Sequence, residues 1–127
     1  MLNTAKIDIY KAIAELAYAI AKVDSYVSEE EKKAFFESIE RELERNENIF
    51  AEQRFKILDN LIQKDVNTAY NHALFLIRQS KQELTEEMLE KITKIAQKVA
   101  ESEGILPEEK QLLDSFKQEV ISIYFQK

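Results

Sequence analysis

"AKVDSYVSEEEKKAFF", residues Ala21–Phe36, decides how the chain is read. Upstream of it, Ile9, Ile13, Leu16, Ile20 and Val23 recur at spacings of three and four, one face of a helix. The pattern breaks over Asp24, Ser25, Tyr26 and Val27, then restarts in a run of glutamates. Ser28 with Glu31 three residues later is the signature of a capping box. The hydroxyl accepts from the third amide of the new helix, and the carboxylate reaches back to the serine N–H. "AESEGILPEEKQLL", Ala100–Leu113, repeats the arrangement near the other end of the chain. There Gly104 fits a left-handed helix end and Pro107 the first turn of the next helix. Placing Asp24 on Glu103 sets Ser25 on Gly104, Val27 on Leu106, and Glu29-Glu30 on Glu108-Glu109. The chain reads as two helix–corner–helix units.

Working outward, the first helix spans Thr4–Val23. Its alanines, Ala12, Ala14, Ala17, Ala19 and Ala21, leave it apolar nearly all round, which places it at the centre of a bundle. The second runs to about Arg45, with Ala34, Phe35, Phe36, Ile39 and Leu43 facing inward. "NEN", Asn46–Asn48, reads as the next break, followed by a third helix through Phe50, Phe55 and Leu58 to near Lys64. Asp65 caps a fourth, whose inner face is Val66, Ala69, Tyr70, Ala73, Leu74 and Ile77. Thr85 caps a fifth, with Met88, Leu89, Ile92, Ile95, Ala96 and Val99 inside. Leu112, Leu113, Phe116, Val120 and Ile123 face inward on a sixth. The expectation is a single all-α domain over residues 1–127, a helical bundle of about six helices containing two similar helical hairpins.

Composition agrees. Average proteins carry about 7% Gly and 5% Pro; this chain has one of each in 127 residues. Its 24 acidic against 18 basic residues give a net charge of −6, which argues against a nucleic-acid surface. With no cysteine there is no disulfide framework and no thiolate nucleophile or metal ligand. "MLNTAKIDIYK" is broken by Lys6 and Asp8, so no signal peptide is expected. No stretch approaches the roughly 18 apolar residues of a membrane span. A cytoplasmic protein with no membrane insertion is the expectation.

The chemistry is sparse. Acids at the corners suit helix N-termini, where unpaired amides and the helix dipole favour negative charge. They equally suit a hard cation, which takes carboxylate and carbonyl oxygens from short loops. An EF-hand is excluded, because counting from Asp24 puts Tyr26 third, Glu29 sixth and Phe35 twelfth. His72 is the single histidine and reads as a boundary residue on the flank of the fourth helix. Seven serines share that one imidazole, and there is no glycine loop for phosphate, so no enzyme and no catalytic residue is expected. Tyr26 reads as an aromatic folded back over the helix end, or else as an exposed anchor for a partner. The run Glu29–Glu47 reads as a solvated face with intrahelical pairs.

"AIAKVDSYVSEEE" and "VAESEGILPEE" resemble the paired "A-x-x-D-G-x-[hydrophobic]-S-x-x-E" corners of the tellurite-resistance TerB-like family. The helical layout between them, through "AYNHALFLIRQ" and "EMLEKITKIAQKVAESEG", is similar as well. The resemblance implies a non-enzymatic accessory protein of stress response and tellurite resistance. It implies protein partners, some of them membrane-associated, and a divalent cation such as Mg²⁺ or Ca²⁺ at the acidic corners. Carried over, the metal candidates are Asp24 and Glu31 in the first corner, and Glu103 and Glu109 in the second, beside Gly104. Ser25 stands where the pattern has Gly, Glu103 where it has Asp, and Lys110 at the position aligned with Glu31. The alternative is an interaction module whose acidic corners only cap helices.

Overall fold

Asn3 opens the first helix: its side chain accepts from the Lys6 N–H at 2.9 Å, and α1 follows over Thr4–Lys22. The computed structural model describes residues 3–23 and 26–126, and the expectations for Asp24 and Ser25 lie outside the described residues. Five more helices complete the bundle: α2 (Glu29–Glu42), α3 (Arg45–Ile57), α4 (Val66–Gln79), α5 (Glu86–Glu101) and α6 (Pro107–Phe125). A turn of π-helix at Leu58–Ile62 extends α3, and a 3₁₀ turn at Lys81–Glu83 precedes α5. No strand occurs among the described residues.

The caps fall where the side chains predict them. Ser28 and Glu31 form the full capping box, with bonds of 3.1 and 2.9 Å. Asp65 accepts from the Thr68 N–H at 2.7 Å, and Thr85 from the Met88 N–H at 3.1 Å. Gly104 holds φ +86°, the left-handed conformation that costs other residues strain, and Pro107 begins α6.

One boundary differs from expectation. Asn46–Asn48 is not a break: it lies in the first turns of α3. The chain breaks earlier, at Leu43 and Glu44, both extended, so α2 stops at Glu42. The Glu47 carboxylate accepts from the Glu44 N–H at 3.0 Å and starts α3 ahead of the asparagines. Spacing alone weighted the Asn pair as turn formers, but a glutamate at the third helical position serves the start better.

Twelve of the nineteen residues of α1 are buried, so this helix is the axis of the fold. It packs against α3, α4, α5 and α6, and its alanines allow those neighbours to approach closely. Ile9, Ile13, Leu16 and Ile20 are fully buried, each worth roughly 1.5–3 kcal/mol of transfer free energy. An aromatic cluster fixes α2 and α3 to it. Phe35 stacks on Phe55 at 4.5 Å, while Tyr18 meets Phe55 edge-on at 6.1 Å. The α4 and α6 helices are joined by Tyr70–Ser115 at 2.9 Å and Arg78–Glu119 at 3.2 Å. The helix–corner–helix units interlock crosswise, α2 lying on α5 and α6 on α1. That pairing is the one an approximate twofold between the units requires.

Candidate functional site

The crosswise packing brings the two acidic corners together. Glu31, from the first corner, and Ala100, Glu103, Gly104, Leu106 and Glu109, from the second, line one cavity of about 60 Å³. Glu103 also borders a wider open hollow beside Tyr26, Val27, Ser28, Glu29 and Glu30. Glu31 and Glu109 are each only 3% exposed, a level charged residues reach when their oxygens are engaged. Both are engaged with backbone. Glu31 accepts from the Ser28 N–H and Glu109 from the Leu106 N–H, each at 2.9 Å.

This geometry corrects the alignment of the corners. Glu109, not Lys110, occupies the place of Glu31, since each is the third residue of its helix. Leu106 correspondingly stands where Ser28 stands. Counted from its first acid, the second corner is one residue shorter, a difference that residue-by-residue alignment hides. It is also half a capping box, because leucine has no side-chain acceptor for the Glu109 amide. Lys110 points elsewhere, pairing with Asp114 at 3.1 Å.

The candidate metal ligands divide accordingly. Glu31 and Glu109 are buried helix caps, Glu103 is exposed, and Asp24 lies outside the described residues. Among the described residues, no three His, Cys, Asp or Glu side chains are grouped to hold a metal ion. Tyr26 is 63% exposed and does not fold back over the helix end. The Glu29–Glu47 run is only partly a solvated face. Lys33–Glu37 pairs at 4.0 Å along the helix, but Lys32 also crosses to Asp59 at 3.0 Å, and Glu47 accepts from the Tyr10 hydroxyl. Asp59 is the main cause holding the Lys32 ammonium above its ordinary value. Burial first, then the Glu47 carboxylate, pushes the Tyr10 phenol up.

The densest charge cluster lies elsewhere. Glu15, in the middle of α1, is completely buried. Its Oε2 accepts from Arg54 Nε at 2.7 Å, and its Oε1 from Lys64 Nζ at 3.0 Å. His72 Nδ1 lies 3.4 Å from the same carboxylate and 2.7 Å from Lys64 Nζ. The histidine is thus a boundary residue, as expected, with a carboxylate and an ammonium for neighbours. Local backbone places Lys64. The π turn ends at Gln63, which has φ +50° and is the one non-glycine described residue with positive φ. Such π turns and left-handed residues are costly and recur where a side chain must be aimed. Here the chain turns so that Lys64 meets a carboxylate from another helix.

Sequence reading missed this cluster. Its signal is a single glutamate, "AIAELAYAI", inside the most apolar helix of the chain. A charge at such a position demands a buried counter-charge. Which cation supplies it is not encoded locally.

No family model, curated protein or solved structure matches the chain. No described helix is long and apolar enough to cross a membrane.

Proposed function

We propose that this chain is a non-catalytic, TerB-like accessory domain that acts through protein contacts, its acidic corners serving to cap α2 and α6. The observation that carries the reading is the engagement of Glu31 and Glu109 by the backbone amides of Ser28 and Leu106. A carboxylate already bonded at a helix start has a structural role that needs no ion. The single imidazole favours a non-catalytic role too, since His72 packs against Lys64, Glu15 and Phe75. A part in stress response belongs to the same reading and rests on the resemblance of the corners.

A second reading is favoured by one observation, the convergence of Glu31, Glu103 and Glu109 on a single small cavity. In it, the corner acids, with Asp24 as the further candidate from the sequence, take a divalent cation, Mg²⁺ or Ca²⁺. Thermal unfolding of metal-stripped protein, titrated with Mg²⁺, Ca²⁺, Mn²⁺ and Zn²⁺, separates the two. A ligand that binds only the native state raises the midpoint once its concentration exceeds its dissociation constant. The capping reading expects a flat response through millimolar cation. A selective rise, absent from Asp24→Asn, replaces it with the cation reading.

A further inference from the structure

We propose that the groove between α5 and α6 docks an acidic amphipathic helix of a partner protein. The proposal deepens the interaction-module reading and rests on it. The groove encloses about 400 Å³ and is lined by Leu89, Glu90, Thr93, Lys94, Lys117, Val120 and Ile121. Its floor is apolar: Leu89 from α5 faces Val120 and Ile121 from α6. Ile121 is 50% exposed, and Phe125, one helical turn further along α6, is 78% exposed. Large side chains left open in a row on one helix, beside a second helix, form the seat in which a third helix sets its apolar residues.

Charge selects the occupant. The chain carries a net charge of −6, yet two of the three charged residues lining this groove are lysines. Neither has a carboxylate partner among the described residues, and the Lys117 ammonium donates to the Gln97 side-chain oxygen at 3.4 Å. Lys91, by contrast, is neutralised by Glu87 at 3.2 Å on the same helix. Cations left open at the rim of an apolar seat are complemented by glutamates flanking the apolar stripe of the incoming helix. An anionic bilayer offers the same charges, but a recessed groove on an acidic molecule favours a narrow helix over a flat surface.

The test uses fluorescence anisotropy with a labelled amphipathic peptide, Leu at helical spacing flanked by Glu, and its counterpart with Lys for Glu. The wild-type chain is expected to bind the Glu peptide in preference to the Lys peptide. The double variant Lys94→Glu/Lys117→Glu is expected to bind the Glu peptide roughly tenfold more weakly and to reverse the preference. Ile121→Asp, at a half-exposed position, is expected to bind neither while keeping the wild-type circular dichroism spectrum and melting temperature. Absence of binding, equal affinity for both peptides, or insensitivity to these variants overturns the proposal. Binding to phosphatidylglycerol vesicles but not to the peptide assigns the groove to a membrane instead. A dimer in sedimentation that Ile121→Asp dissolves assigns it to a second copy. Each of these failures removes the groove alone; the module reading falls separately, to a selective cation response at the corners.

Discussion

The acidic corners and the Glu15 cluster both hold buried carboxylates, but they satisfy them differently. At the corners, Glu31 and Glu109 bond amides three residues away in their own chain segment. In the cluster, Glu15 is met by cations 39 and 49 residues away. A capping carboxylate replaces water with a nearby amide, at modest net gain. A carboxylate in the middle of a core helix has lost its water entirely and depends on distant partners held in place by the whole fold. The comparison predicts that damage at the cluster is global and damage at the corners local.

The largest expected effect follows at Glu15. Glu15→Ala leaves Arg54 and Lys64 beside each other without their carboxylate, which costs about 3 kcal/mol, read as a lower urea midpoint. Both cations keep some solvent contact, so the cost falls at the low end for a broken buried pair. Glu15→Gln, which preserves volume, should retain most of that loss. A loss under about 1 kcal/mol would place the cluster with ordinary surface pairs and break the comparison.

Tyr10→Phe comes next, at about 2 kcal/mol, because the hydroxyl bonds a charged acceptor, Glu47. Its pH dependence has a definite sign. The native phenol is raised above its ordinary value of 10.0, so its contribution is complete below pH 10 and is lost as pH rises through the native value. Alkaline unfolding of Tyr10→Phe should therefore be shallower than that of the wild type. It should not vanish, since Tyr18 and Tyr70 are raised as well, both chiefly by burial.

At the corners the effects shrink and sharpen the contrast between the two units. Ser28→Ala removes the hydroxyl of the complete capping box and should cost about 1 kcal/mol in chemical denaturation. Glu109→Gln keeps a side-chain oxygen for the Leu106 N–H and should cost roughly 0.3–1 kcal/mol. The smallest effect is at exposed Asp65, whose carboxyl is held below its ordinary value by the Thr68 amide. Its contribution is present above that ordinary value and lost as pH falls through the native one, so Asp65→Asn should lower stability slightly at neutral pH and flatten the acid limb of the stability profile.

Much of this architecture is legible in the sequence. The caps at Ser28, Asp65 and Thr85, the left-handed Gly104 and the helix start at Pro107 were all readable because each depends on a few neighbouring residues. The start of α3 was misplaced because two asparagines outweighed a glutamate whose capping role shows only beside the extended Leu43 and Glu44. The matching of the corners slipped by one residue because a shared acid is a weaker landmark than a shared helical position. Tyr26 had two available conformations in sequence terms, and packing left it in solvent.

The sequence by itself determined a helical chain, its boundaries to within a few residues, and α1 as the buried axis, because periodicity and capping act over three or four residues. Tertiary structure alone decided that the two corners share a cavity, that Lys64 turns into the core through Gln63, and that Lys94 and Lys117 flank an open apolar groove. Those are meetings between side chains far apart along the chain. The free energy that selects them is a property of the packed bundle rather than of any one segment.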